Sequence, residues 1–428
     1  MRRAAALLVA LALLAAACSG GEPAGESTTS TAAAASTAPT TLPADTTTAP
    51  SSTTTAATTT RPPAEAAVSL EPAGGDPDPA LEAAVEALYA WIADPAGTPE
   101  PDLPDGLTRL LDDAGPAGDL LVRGEYATAD LPTGERVGAA VSQDDVVLLV
   151  GDGAGWRVVG ARLDAAGGTP WYGEPVRRVM VLGTDARPGQ DQQGLRSDSI
   201  HLLTSAIGAS AGTILGFPRD AYVEAPNGRR DKYTHLNVYF GPEVMVEVAE
   251  GLSGLDIEGY LITGFLGFQQ LVDAFGGVPV DVPFRMAEPK SKAYLNAGLQ
   301  VLWGANALAF SRNRTVPNGD FRRSLHQGMV IRGALEAVQE LGVIALPSLL
   351  AMLLEFTWTD LDAETLLTMA AGAYEIEEVA NVVLPGSVQT ISGASVVVLD
   401  DSAPGILADL DDGIVDVEAL PDGALIDE

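Results

Sequence analysis

Between residues 177 and 220, apolar runs end in aspartates and arginines. Arg177–Gly183 runs into Thr184-Asp185-Ala186-Arg187-Pro188-Gly189. Ser199–Ser205 is preceded by Arg196-Ser197-Asp198, and Thr213–Phe217 is followed by Pro218-Arg219-Asp220. Short apolar runs bounded by turn residues predict strands, with a Gly-rich turn at Ile207–Gly212 joining the second to the third. If these strands share a sheet, their polar ends meet at one rim. Guanidinium forks match phosphate oxygens, and a carboxylate pair suits a hard divalent cation. Such a rim is a site for a phosphate and a metal ion.

More donors follow. In Ser311-Arg312-Asn313-Arg314 the two arginines share a face if the chain is extended. Gly319-Asp320-Phe321-Arg322-Arg323 precedes a helix predicted to reach about Leu341, on which Arg323 and Gln327 share a face. The formal net charge is −34, which excludes nucleic-acid binding of the ordinary kind, since phosphate backbones need a basic surface. Yet 16 of the 24 lysines and arginines lie between Arg177 and Arg332, and none follows. That concentration points to a local site for an anionic ligand. Arg177, Arg178, Arg229, Arg230 and Arg322 read instead as partners of nearby carboxylates. His201, His235 and His326 do not have zinc-site spacing.

The elements that must hold these residues can be read along the chain. Met1-Arg2-Arg3 and the apolar Ala4–Ala17 end in Leu14-Ala15-Ala16-Ala17-Cys18, which looks like a bacterial lipoprotein signal over residues 1–18 with Cys18 lipid-modified. Ala15 stands where leucine is usual; a plain secretory signal or a short membrane anchor is the other reading. Cys18 is the only cysteine, so no intramolecular disulfide forms. Residues 19–77 are rich in Ser, Thr, Ala and Pro and predict a disordered tether. Residues 78–170 predict a small α+β accessory domain: a helix with Leu81, Val85, Leu88, Tyr89 and Ile92 on one face, then strands across Val137–Leu163. No chemistry is legible there. A second domain is expected over 175–412, with helices at Pro242–Leu252, Ile262–Phe275, Leu346–Leu354 and Asp362–Ala373. Strands at Val379–Leu384 and Ala394–Leu399 are expected to complete its sheet; the chain is expected to fray from about Asp409, and 413–428 reads as an acidic tail. Phe265, Phe268 and Leu271 read either as core or as the wall of an apolar groove. The fold class is α/β: a central mixed β-sheet flanked by helices.

LGTDARPG (182–189), RSDSI (196–200), FPRD (217–220), DKYTHLN (231–237), FLGFQQLVDAFGGVPVDV (265–282), GLQVLWGANALAFSRNR (298–314) and GDFRRSLHQ (319–327) occur together in this order. In these seven motifs the chain resembles the LytR–CpsA–Psr family of bacterial cell-envelope proteins, most strongly over 176–344. The resemblance implies a phosphotransferase that moves a glycopolymer, such as teichoic acid or arabinogalactan, from an undecaprenyl-pyrophosphate carrier to a peptidoglycan hydroxyl, releasing lipid phosphate. It implies that Arg196, Arg219, Arg312, Arg314, Arg323 and Gln327 clamp the pyrophosphate, with Arg187 a further contact. It implies Mg²⁺ as cofactor on Asp185 and Asp198, and a lipid pocket between sheet and helices. Asp220 is expected to brace Arg219, with Lys232 and Asn237 at the rim. Two departures stand out. Trp303 replaces a usual aspartate, and His326 stands where arginine is common. With the N-terminal anchor, the resemblance implies work at the outer face of the cytoplasmic membrane, extending into the wall. Two alternatives remain: a non-catalytic envelope protein that binds polyprenyl phosphates, and a transcriptional attenuator, which the export signal and acidic charge oppose.

Overall fold

The computed structural model describes residues 63–153, 155–187, 190–191, 193–314 and 319–420. The Cys18 lipidation site, the signal, the tether up to residue 62 and residues 421–428 lie outside the described residues.

The chain opens with strand β1 (Ala66–Pro72), helices α1 (Pro79–Ala93) and α2 (Asp105–Ala114), and strands β2 (Leu120–Asp130), β3 (Arg136–Ser142), β4 (Asp145–Gly151), β5 (Trp156–Arg162) and β6 (Pro170–Trp171). These strands form one sheet in sequence order, with β1 parallel to β2 and the rest antiparallel. Asp78 caps α1, its side chain accepting from the Leu81 N–H, and Pro79 takes the first helical position. The sequence reading carried the tether to residue 77. Instead Ala66–Pro72 adds the first strand, because its alternating small and apolar residues suit an edge.

The second sheet uses β7 (Val176–Thr184), β8 (Ser197–Ala206) and β9 (Ala211–Gly216). A hairpin of β10 (Tyr222–Glu224) and β11 (Arg230–Lys232) leads into α3 (Tyr233–Phe240) and α4 (Pro242–Ser253). Then come β12 (Tyr260–Thr263), α5 (Phe265–Ala274), β13 (Val278–Val282), β14 (Met286–Glu288), β15 (Ala293–Leu295), β16 (Gly298–Leu302), α6 (Gly304–Ser311) and α7 (Gly319–Gln339). The chain closes with α8 (Leu346–Phe356), β17 (Trp358–Thr359), α9 (Ala363–Gly372), β18 (Glu378–Val383), β19 (Gly386–Ile391), β20 (Ala394–Leu399) and α10 (Ala403–Asp409). The central order is β17-β12-β7-β8-β9-β18, a mixed sheet, as expected. Of the two late strands only β18 joins it; Ala394–Leu399 pairs with β19 in a separate hairpin.

Alternation along β7 and β8 splits the core. Met180, Leu182, Ile200 and Leu202 face α3, α4 and α10. Val179, Val181 and Leu203 face α8 and α9. That second core continues into the N-terminal sheet: Val137, Ala139, Val146 and Leu148 pack with Leu349, Leu350 and Leu367, while Ala140, Val147 and Leu149 pack under α1 and α2. The near-continuous apolar runs 137–141 and 146–150 make sense only in a sheet covered on both faces. Arg157–Glu364 (2.6 Å) and Arg162–Glu375 (2.7 Å) flank this contact.

The expected frayed tail does not begin at Asp409. Leu410 and Val415 are buried, and Arg178 donates to the Leu410 carbonyl at 3.1 Å. Acidic composition concealed these apolar anchors.

Candidate functional site

The pairing of β7 with β8 shifts register at Gly183/Thr184, where both strands reach the rim. Beyond it the Asp185 N–H donates to the Arg196 carbonyl at 3.0 Å. Asp185 and Asp198 thus stand at the same end of adjacent strands. Burial raises the Asp185 pKa above the usual carboxylate range, the charge of Asp198 adds to this, and Arg196 opposes it. Two carboxylates that repel one another are a site short of positive charge.

Arg219 emerges just past β9 and donates to Asp198 Oδ1. Burial works against its charge, but Asp198, with Asp220 and Asp320, holds its pKa above the ordinary arginine value. Its Nε is buried without a hydrogen bond among the described residues; Asp220 Oδ1 stands 4.0 Å away. Asp220 is held more closely by Lys232, at 3.1 Å. The brace on Arg219 is therefore loose, and Lys232 serves Asp220. Asn237 is not a rim residue. It is buried, and its amide donates to the Gln193 and Leu195 carbonyls, both at 2.6 Å, fixing the loop that delivers Arg196.

Helix α7 supplies the opposite wall. The Arg323 side chain is 4% exposed, and Asp320 Oδ1 lies 3.5 Å from one of its terminal nitrogens. The same oxygen is 3.4 Å from Arg314 Nε. Burial pushes the Arg323 pKa down to about 10 against the pull of Asp320. Its Nε has no hydrogen-bond partner among the described residues. A buried guanidinium with an unused donor gains most from an incoming anion. One turn on, Gln327 donates to the Ser311 carbonyl at 3.2 Å and so ties α7 to α6.

Between the β7–β8 face and α5, α6 and α7 lies a cavity of about 330 Å³. Asp198, Arg312, Arg314, Arg323 and Gln327 line its polar part, and Phe265, Phe268, Leu308, Val330 and Ile331 its apolar part. Arg312 lies over the Phe265 ring at 4.6 Å, at the junction of the two. Gly183 also lines the space, and a side chain on it would start 3.0 Å from Ser199 Cβ.

Not every expected residue converges here. Arg187 and Arg196 are exposed, and they, Asp185 and Arg219 stand off the cavity wall; Arg219 reaches it through Asp198, and Arg196 acts on Asp185 through its charge. Leu271 is fully buried in the core between α5 and α8 and lines no part of the cavity, whereas Phe265 and Phe268 do. The difference lies in helix phase: Leu271 falls on the α8-facing side. His326 also points away. It stacks on Phe310 at 4.6 Å, with burial lowering its pKa to about 4, so its departure from arginine leaves the cavity wall untouched. His201 Nε2 meets the Ser324 carbonyl at 3.1 Å, which assigns the proton to Nε2 and leaves Nδ1 to accept from Ser199. The sequence reading missed Lys290 and Ser291, contributed by the β14–β15 hairpin, and Ile331. Only Ile331 carried a signal, four residues past Gln327.

Fold and site together define an α/β protein with an amphiphilic cavity, lined by arginines and carboxylates in one part and by apolar side chains in the other. The LytR_cpsA_psr family pattern matches residues 173–406, more than half of the chain, and the chain belongs to that family. It is 28% identical over 198 residues to the probable cell wall biosynthesis protein LcpB of Corynebacterium glutamicum, covering 44% of this chain and 48% of that one. It is 32% identical over 236 residues to the polyisoprenyl-teichoic acid–peptidoglycan teichoic acid transferase TagU of Oceanobacillus iheyensis, covering 52% and 71%. The chain thus spans about half the length of the first of these relatives. Among solved structures, Bacillus subtilis TagV matches with a TM-score of 0.49 at 21% identity, over 55% of this chain and 95% of that one.

Proposed function

We propose that this protein transfers a glycopolymer from a polyprenyl-pyrophosphate carrier to a hydroxyl of peptidoglycan, releasing polyprenyl phosphate. The observation that carries the reading is the cavity itself, which joins arginine donors to apolar walls, the chemistry an anionic amphiphile needs. Family membership and the name of the TagU relative support it.

In this reading the prenyl chain enters past Phe265 and Phe268, and the pyrophosphate stays at the mouth. Arg219 and Arg323 donate to its oxygens, with Arg312 and Arg314 adding charge. Fixed donors aimed at developing charge act strongly in a partly buried site. The acceptor oxygen forms a bond to the sugar-linked phosphorus, and the bridging P–O bond to the lipid phosphate breaks. The electron pair leaves on the lipid phosphate, and the acceptor's proton passes to a carboxylate. Asp185, at the β7–β8 rim, is placed to take it where it is not holding the metal ion.

Asp185 and Asp198 fit Mg²⁺, which commonly uses one or two carboxylates plus substrate phosphates. Bound there, the ion would neutralise pyrophosphate charge. Their mutual repulsion is the feature that supports this assignment. Among the described residues no group of three or more His, Cys, Asp or Glu could hold a metal alone, so substrate oxygens would complete the shell. Lipid attachment at Cys18 and an external membrane face complete the proposal. No described helix is by itself long and apolar enough to cross a membrane.

The test incubates the full chain with a lipid-pyrophosphate-linked saccharide, peptidoglycan oligomers and Mg²⁺. Arg219→Ala and Asp198→Ala should each slow transfer by roughly 10²–10³-fold. Prenyl-pyrophosphate binding without transfer in the wild type would instead identify a carrier-binding protein.

A further inference from the structure

Behind the first cavity lies a second space of about 60 Å³. Val179 and Leu203 of the sheet, Leu335 of α7, Met369 of α9 and Ala373 line it. Ile331 lines both spaces and is 7% exposed. Arg323, Gln327, Ile331 and Leu335 are spaced four apart on α7 and therefore share one face. The opposite wall repeats the order. On β7, Gly183 and Val181 line the first space and Val179 the second. Alternate strand residues point the same way, so this is one continuous floor. The two spaces meet at Ile331, between α7 and the sheet. Leu335, Ser205 and Val379, which also line the second space, are half-buried.

We propose that Ile331 divides a single tunnel for the carrier's prenyl tail and that the second space selects for chains long enough to pass it. The inference rests on the carrier reading above and adds a length-selecting residue. From Arg323 to Ile331 the helix rises about 12 Å at 1.5 Å per residue. An isoprene unit spans roughly 5 Å, from four backbone bonds of about 1.5 Å each. Two to three units therefore fill the path as far as Ile331. A farnesyl chain ends there, and a longer chain continues into the space beneath Met369 and Ala373.

The test compares binding of farnesyl pyrophosphate and hexaprenyl pyrophosphate to the full chain in detergent. Ala373→Leu adds bulk only in the second space. It should weaken hexaprenyl binding by roughly five- to tenfold and leave farnesyl binding unchanged. Ile331→Ala widens the partition and should raise the hexaprenyl-to-farnesyl affinity ratio. Thermal melts of both variants establish that they fold. An unchanged ratio in both folded variants overturns the tunnel. Failure of the wild type to bind either pyrophosphate would overturn the carrier reading, and the tunnel with it.

Discussion

At the scale of single residues, two equally buried arginines differ in how fully they are partnered. Arg323 sits 4% exposed beside one aspartate that it shares with Arg314, whereas Arg177 is buried and fully engaged by Glu258, Tyr172 and Thr368. The first is poised for an anion; the second holds the fold. The expected carboxylate partner of Arg177 is Glu258, and Arg323 stands one helical turn from Gln327, as its spacing predicts. The sequence misplaced Leu271 and Asn237, since apolar or amide character does not reveal which side of a helix faces a cavity. His326 offers a residue-scale prediction. Both ring nitrogens are buried without hydrogen bonds among the described residues, between Phe310 and Phe284. Its pKa falls to about 4, so the unfolded chain binds the extra proton first. Stability is then present above pH 6.5 and lost as pH falls toward 4. His326→Phe should raise stability by about 1 kcal/mol at neutral pH and flatten that acid limb. Denaturant titrations at pH 7 and pH 5 measure both.

At the scale of elements, strand ends do the positioning. The β7–β8 rim delivers Asp185 and Asp198, the end of β9 delivers Arg219, and the first turns of α7 deliver Arg323. Their apolar periodicity made most of these elements legible. The β14–β15 hairpin was not, because a three-residue strand pair has too few residues to show a period. Trp303 is instructive here. It holds the N-cap of α6, makes no side-chain cap bond and is 48% exposed, while Asp273 accepts from the Gly304 N–H at 2.8 Å. An aspartate suits that position because its carboxylate accepts from the next free N–H groups. Trp303→Asp should therefore stabilise the protein by about 0.5–1 kcal/mol, read as a rise in Tm with prenyl-pyrophosphate binding retained.

At the scale of the whole molecule, the N-terminal sheet and the helices behind the central mixed sheet share one core. The sequence suggested two units because its apolar runs are separated by the Pro170–Gly173 junction. It could not show that β3 and β4 are covered on both faces until α8 and α9, some two hundred residues later, supplied the second cover. Cutting the chain before Val176 would uncover Leu346, Leu349, Leu350 and Leu353. That fragment should aggregate, whereas the intact chain should melt in a single transition. Scanning calorimetry and size-exclusion chromatography distinguish the outcomes.

Transfer with the sugar-linked phosphate and transfer without it break different bonds. A carrier labelled with phosphorus-32 only in the sugar-linked phosphate decides between them. Phosphotransfer predicts that the label moves to peptidoglycan with the saccharide and that unlabelled polyprenyl monophosphate is released. Saccharide on peptidoglycan without label, accompanied by labelled polyprenyl pyrophosphate, would mean attack at the sugar carbon and would contradict the account.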